Sequence, residues 1–347
     1  MSDQINQRRR RFFGAAAATV ATAQLSFSAL ANAQSIVAGS SSATSTTAAG
    51  FTGIKQIDAG VLNIGYAEVG PANGQPVILL HGWPYDIHSF VDVAPLLAAA
   101  GHRVIIPHLR GHGSTRFLSA DALRNAQQSA VAQDIIALMD ALRIPSAVIA
   151  GFDWGARTAC IMAALWPERC KALVSVSGYL MTNLATAKKP LPPKAEFDWW
   201  YQFYFTTERG VEGYTKYRRE FAELIWKTAS PKWQFDAATF NHSAASFDNP
   251  DYVAIVIHNY RWRLGLADGE RKYDALERRL ADLPVIGIPT ITMEGDANGA
   301  PFLPPALYRN KFSGKYEHRN LTGGIGHNLP QEAPQAFADA VLAVSKL

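Results

Sequence analysis

Short runs of consecutive apolar residues alternate along this chain with segments in which apolar positions recur every three or four residues. The runs are Val77-Ile78-Leu79-Leu80, Val104-Ile105-Ile106, Val148-Ile149-Ala150, Leu173-Val174-Ser175-Val176 and Ile291-Thr292-Met293. A run without polar alternation is apolar on both faces, which suits a strand covered on both sides, as in a parallel sheet. Ile135, Leu138, Met139 and Leu142 mark an amphipathic helix over Ala130 to Leu142, and the pattern predicts another over Gly155 to Leu165. Strands and helices in alternation give the α/β class, a doubly wound and mostly parallel sheet.

The rhythm breaks between about Leu180 and Leu283, where the sequence is aromatic-rich, largely helical and opened by the Pro-rich stretch Lys189 to Lys194. This predicts a helical lid over residues 181–283, inserted between two parts of one core, residues 51–180 and 284–347. The strand pattern resumes at Pro289, and a C-terminal helix is expected from about Pro334.

Residues 1–33 read as an export signal of the twin-arginine type. Arg9-Arg10-Arg11-Phe12-Phe13 leads into an Ala-rich apolar stretch that ends in Ala31-Asn32-Ala33, the small residues a signal peptidase needs. The stretch falls short of the ~20 apolar residues that span a bilayer, so no lasting membrane anchor is expected after cleavage. Residues 34–50, rich in Ser, Ala, Thr and Gly, predict a flexible lead-in. The expected partner of the N-terminus is the twin-arginine machinery, and the expected location periplasmic or secreted.

This reading changes what the charge means. The formal net charge is +4, to which Arg8 to Arg11 give four positive charges and Asp3 one negative, so the mature chain is close to neutral. That argues against nucleic acid or an anionic membrane as partner. Cys160 and Cys170 are the two cysteines, expected as buried thiols, since a core of this size needs no staple.

The chemistry starts at Gly151-Phe152-Asp153-Trp154-Gly155. A strand ending in Gly, a polar residue two positions on, and a Gly opening a helix reproduce a nucleophile elbow, with the helix N-terminus aimed at the same place. Asp153 in that turn is a carboxylate nucleophile, able to attack a saturated carbon and form an ester that water must then hydrolyse. The plainer alternative is an Asp that only caps the helix. Upstream, His81-Gly82-Trp83-Pro84 follows a buried strand and puts the Trp83 backbone N–H where an oxyanion hole needs one, with the Trp154 N–H as its partner. Gly324-Ile325-Gly326-His327 supplies a late loop histidine, His327, as general base.

Together, Gly-x-Asp-Trp-Gly, His-Gly-Trp-Pro and the late Gly-His resemble the soluble epoxide hydrolases, with haloalkane and haloacetate dehalogenases as relatives. The resemblance covers essentially all of Ile54 to Leu347. It implies no cofactor and no metal. Tyr201-Gln202-Phe203-Tyr204-Phe205 is similar to the family's Tyr-Gln-x-Tyr-Phe segment, which makes Tyr201 the first epoxide-activating tyrosine; Tyr260, in Asn259-Tyr260-Arg261, would be the second. The family places an Asp three residues beyond a Gly after the strand that precedes the histidine loop. Here Gly295-Asp296-Ala297-Asn298 puts Asn298 there. Because an amide cannot offset an imidazolium charge, Asp296 is favoured as the partner of His327, with Asn298 the alternative. His108-Leu109-Arg110-Gly111 carries His where many relatives have Asp, with no evident consequence. Arg157 matches one of two arginines that clamp carboxylate in haloacetate dehalogenases, but a structural salt bridge is the favoured role.

The resemblance implies an enzyme that opens epoxides to diols. The alternatives are a haloalkane or haloacetate dehalogenase using the same nucleophile, with indole N–H donors such as Trp83 and Trp154 holding halide, and a ligand sensor or carrier without turnover. No acid follows the strand at Val176, where Ser175-Val176-Ser177-Gly178 stands, which fits several dehalogenases poorly. The lid aromatics suggest a small apolar substrate.

Overall fold

The computed structural model describes residues 50, 51 and 53–347; the signal of residues 1–33 and the lead-in, apart from Gly50, lie outside the described residues. Nine strands form one sheet: β1 (Lys55–Ala59), β2 (Leu62–Val69), β3 (Gln75–Leu80), β4 (His102–Pro107), β5 (Arg116–Phe117), β6 (Ala147–Gly151), β7 (Cys170–Val176), β8 (Thr290–Gly295) and β9 (Tyr316–Leu321). Their order is β1-β2-β4-β3-β6-β7-β8-β9, with β5 beside β2. From β4 to β9 along this order every pairing is parallel, whereas β1, β2 and β5 add antiparallel pairings at one edge.

The apolar runs occupy the middle of this sheet because both its faces are covered there. Val77 to Leu80, Val104 to Ile106, Val148 to Ala150 and Leu173 to Val174 are wholly buried. The edges read differently. β1 is Lys-Gln-Ile-Asp-Ala and β9 is Tyr-Glu-His-Arg-Asn-Leu, both partly solvated, so neither carries a continuous apolar run. The helices observed at Gln128–Ala141, Trp154–Leu165 and Pro334–Val344 agree with the periodicity to within about two residues.

Register sets up the site. β3 and β6 pair Leu79 with Ala150 and Leu80 with Gly151, so the two strands end level. The turns that follow, His81 to Pro84 and Phe152 to Asp153, therefore lie side by side at the carboxyl edge of the sheet. There the strand order reverses direction, which is where open α/β sheets bind ligands. His81 braces the arrangement: its Nδ1 lies 2.9 Å from the Gly82 oxygen and its Nε2 accepts the Leu109 N–H at 3.1 Å. The neighbouring His108 stands 3.9 Å from the buried Asp86, and burial pushes its imidazole down to about 4, so it stays neutral. Arg110 neutralises the buried Asp134 through two contacts of 2.6 and 2.7 Å.

Between Val176 and Thr290 the described residues hold helices and no strand, the longest being Glu208–Ala229 and Tyr252–Arg263. The first has an apolar stripe of Tyr214, Phe221, Ala222, Ile225, Trp226 and Ala229, and Thr207 caps its start by accepting the Gly210 N–H at 2.9 Å. This cap is fastened to the core by polar contacts as well as packing. Trp226 Nε1 donates to the Pro84 carbonyl at 2.7 Å, Asn249 Nδ2 to the Thr115 carbonyl at 2.7 Å, and Arg124 pairs with Asp251 at 2.8 Å. Cys160 and Cys170 are both free and buried, one in the helix after the elbow and one at the start of β7. Among the described residues no helix is long and apolar enough to cross a membrane.

Candidate active site

Asp153 occupies a strained position, with φ 52° and ψ −120°, a region an L-residue adopts at a cost of roughly 1–3 kcal/mol. Its side chain makes no capping hydrogen bond to the helix that follows, so the plain helix-cap role is not what the geometry serves. The bend instead lifts the carboxylate clear of the sheet. Close packing under it demands glycine: a Cβ on Gly155 would sit 1.9 Å from the Leu80 oxygen, and one on Gly82 would sit 2.5 Å from the Asp153 Cβ.

The two carboxylate oxygens have different surroundings. Oδ1 accepts the Trp83 backbone N–H at 2.7 Å, and the Trp154 N–H bears on the same carboxylate. Oδ2 faces His327 Nε2 at 3.5 Å. Burial would raise the Asp153 pKa, but His327 and these two amides outweigh it, so the carboxyl lies below its usual range and is ionised. A quarter of its side chain remains accessible, leaving room for a reacting atom above it.

His327 is placed by its own loop. Its backbone N–H donates to Ser230 Oγ at 2.8 Å, and Ser230 in turn donates to Glu332 at 2.7 Å. Glu332 also accepts the N–H groups of Gly326 at 2.6 Å and Asn328 at 3.0 Å. Burial disfavours the imidazolium, but the bond to Asp153 and the charges of Asp153, Glu294 and Glu332 prevail, so the His327 pKa is raised.

The partner of the histidine differs from the favoured expectation. Asp296 does not reach His327: it turns outward and accepts the N–H groups of Gly323, Gly324 and Ile325 at 3.1, 2.8 and 3.0 Å, closing the turn that leads to the histidine loop. Asn298 takes the inward place, with Oδ1 3.2 Å from His327 Nδ1. The same Oδ1 accepts the Ala300 N–H at 2.9 Å, which fixes which end of the amide faces the ring. His327 Nδ1 is therefore the donor to Asn298, which leaves Nε2 as the ring nitrogen that faces Asp153.

Opposite the nucleophile, Tyr201 and Tyr260 meet edge to face with ring centroids 5.4 Å apart, and both pack on Trp83 at 5.3 and 5.1 Å. Burial, followed by the Asp153 charge, pushes the Tyr201 phenol up; burial, Tyr201 and Asp153 do the same to Tyr260. Both phenols hold their protons at neutral pH. The Trp83 indole N–H is occupied, donating to Tyr214 Oη at 2.9 Å, while the Trp154 indole N–H is buried with no hydrogen-bond partner among the described residues.

Among the described residues Arg157 has no salt-bridge partner, unlike the favoured expectation. It donates to Asn259 Oδ1 at 2.8 Å and lies over the Trp154 ring, and burial followed by the nearby Arg263 lowers its pKa to about 10. Among the described residues no cluster of three His, Cys, Asp or Glu side chains is placed to hold a metal ion. Ser230, Tyr214, Glu332 and Glu294 escaped the sequence reading. The one visible signal is Glu294, an acid in an otherwise uncharged, buried strand.

The comparisons with known proteins agree with this architecture. Residues 75–210 match the family described as alpha/beta hydrolase fold. The chain is 62% identical to a candidate epoxide hydrolase of known structure from Klebsiella pneumoniae subsp. pneumoniae, covering 86% of this chain and 99% of that one, with a TM-score of 0.85. It is 34% identical over 131 residues to an epoxide hydrolase from Caballeronia sordidicola, 38% of this chain and 39% of that one. It is 31% identical over 139 residues to a haloalkane dehalogenase from Mycobacterium marinum, 39% of this chain and 45% of that one. The aligned part thus spans less than half the length of these two curated relatives. Elbow, sheet, cap and kinship lead to one assignment: the chain belongs to the α/β-hydrolase family, in its epoxide-hydrolase-like branch, and is an enzyme.

Proposed function

We propose that this enzyme opens epoxides to vicinal diols through an ester on Asp153. The observation that carries the reading is the pair of protonated phenols, Tyr201 and Tyr260, facing each other beside Trp83 and within reach of the Asp153 charge. An epoxide leaves its oxygen as an alkoxide that needs a proton, and a buried phenol can hydrogen-bond that oxygen and then donate to it. A departing halide needs no proton.

Asp153 Oδ2, the oxygen that faces His327 rather than the Trp83 N–H, attacks the epoxide carbon; the ring C–O bond breaks and its electron pair goes to oxygen, which takes a tyrosine proton. Water then adds to the Asp153 Cγ while His327 Nε2 takes its proton. Negative charge develops on Oδ1, which already accepts the Trp83 N–H, with the Trp154 N–H bearing on the same carboxyl group. The Cγ–Oδ2 bond breaks, the product oxygen takes the proton from His327, and the proton of the new carboxyl group returns the tyrosinate to its neutral form. Esterification also removes the anion that raises His327, which favours the neutral imidazole at the stage where a base is required.

The dehalogenase reading has one supporting feature, the unpartnered Trp154 indole N–H. The indole of Trp83, the second donor that reading calls for, is already committed to Tyr214. Assaying purified enzyme against parallel epoxide and organohalide panels, with diol and halide scored separately, discriminates the two. Diol formation lost in the Tyr201→Phe/Tyr260→Phe double variant supports epoxide opening; halide release that survives in that variant overturns it.

We also propose that the enzyme is exported by its twin-arginine-type signal and acts on small apolar substrates outside the cytoplasm. Arg9→Lys with Arg10→Lys should leave the uncleaved precursor in the cytoplasmic fraction; unchanged export would contradict the proposal.

A further inference from the structure

Glu294, the penultimate residue of β8, has only 5% of its surface exposed, and among the described residues no Lys or Arg pairs with it. A buried carboxylate without a cation is costly unless hydrogen bonds hold it. Its Oε1 accepts Asn298 Nδ2 at 2.8 Å and the Gly295 N–H at 3.1 Å. The Asn298 amide therefore stands between two groups. Its oxygen, fixed by the Ala300 N–H, faces His327 Nδ1, and its nitrogen faces Glu294. Ser177, at φ 65° just after β7, lies 3.5 Å from the same Asn298 nitrogen. The two loop positions beside the histidine that could have carried an acid hold neutral Asn298 and Ser177, and both turn toward one carboxylate.

We propose that Glu294 is the anionic member of the His327 relay, acting through the Asn298 amide rather than touching the imidazole. This rests on the reading in which His327 activates water against the Asp153 ester. Asn298 sets the tautomer, and Glu294 supplies the negative charge that an amide lacks and that offsets the imidazolium formed as water attacks. Glu294 is a positioning and electrostatic residue, with no contact to the substrate.

The surroundings bring solvent to its charge. Glu294 borders a groove of about 520 Å³, shared with Asp296, Tyr308, His318 and Asn320, which Asp153 does not line. The titratable groups facing it are thus Asp296, Tyr308 and His318 along the groove and His327 across Asn298. Burial pushes the Glu294 carboxyl up, against the pull of Asn298, the Gly295 N–H and the His327 charge. The groove has room for several waters, which can solvate the carboxylate and offset the burial that disfavours its ionised form.

Glu294→Gln keeps the size and still accepts from Asn298, so it removes charge with little change of shape. In single-turnover measurements with an epoxide the wild type converts, alkylation of Asp153 should stay within about threefold, while ester hydrolysis should slow roughly 10- to 100-fold. The pH midpoint of the hydrolysis step should fall, because the imidazolium loses a neighbouring anion. Adding Asn298→Asp to Glu294→Gln returns a carboxylate directly to the ring and should restore hydrolysis. Unchanged hydrolysis and pH midpoint in Glu294→Gln, or equal loss of both steps without rescue, overturns the inference. Should the wild type convert no epoxide, the proposed function fails by itself. The relay is then judged by NMR titration of His327, whose midpoint should fall in Glu294→Gln; no shift overturns it.

Discussion

The side-chain oxygen of Asn298 lies 3.2 Å from His327 Nδ1, where Asp296, two residues earlier, was the favoured partner. Asp296 spends both carboxylate oxygens on the backbone of the turn at residues 323–325. Asp296→Ala should therefore change kcat by less than about threefold while lowering the thermal midpoint, whereas Asn298→Ala should slow ester hydrolysis at least tenfold by releasing the tautomer. Steady-state and single-turnover rates on both variants, with thermal melts, check this.

The two phenols act on ring opening and not on ester hydrolysis. Tyr201→Phe and Tyr260→Phe should each slow alkylation about 10- to 100-fold, with the partner phenol sustaining the rest, and the double variant should lose roughly 10²–10⁴-fold. The hydrolysis rate of an ester already formed should hardly move. Trp83, packed against both rings, offers a fluorescence signal for following the first step.

The Asp153–His327 pair makes stability depend on pH in a definite window. His327 has a folded-state pKa above its ordinary 6.5, so its contribution is complete below 6.5 and is lost as pH rises through the raised value. Asp153 has a folded-state pKa below its ordinary 3.8, so its contribution is complete above 3.8 and is lost as pH falls through the lowered value. The difference in thermal midpoint between wild type and Asp153→Asn should rise and fall with those two limits. Relief of the φ 52° strain differs little between Asp and Asn and should not mask it.

The elbow rests on contact between backbones. Gly155→Ala puts a methyl group against the Leu80 carbonyl, and should cost about 2–4 kcal/mol in denaturant unfolding and abolish turnover by moving Asp153. Gly287→Ala is the control, since its Cβ would meet nothing closer than 3.7 Å.

Central strands and elbow were legible because each carries its own local signature: an apolar run for β3, β6 and β7, and Gly-x-Asp-Trp-Gly for the bend. β1 and β9 were not, since a solvated edge strand has no continuous apolar run. The nucleophile and base could be named from motif order, but the partner of the base depends on how one loop turns. Asp296 looked better by charge; the backbone donors of a turn almost thirty residues away claimed it. Ser230 and Tyr214 work through contacts made only after folding, and nothing local to them announces a role; Glu294 stands out only as an acid near the end of a buried strand.

Trapping the ester tests the central claim most directly. With His327→Gln and an epoxide that the wild type converts to a diol, the protein should gain the mass of the intact epoxide, on the peptide containing Asp153, and Asp153→Asn should gain nothing. Diol formation by the wild type with no adduct in His327→Gln, or an adduct on a residue other than Asp153, would contradict the account.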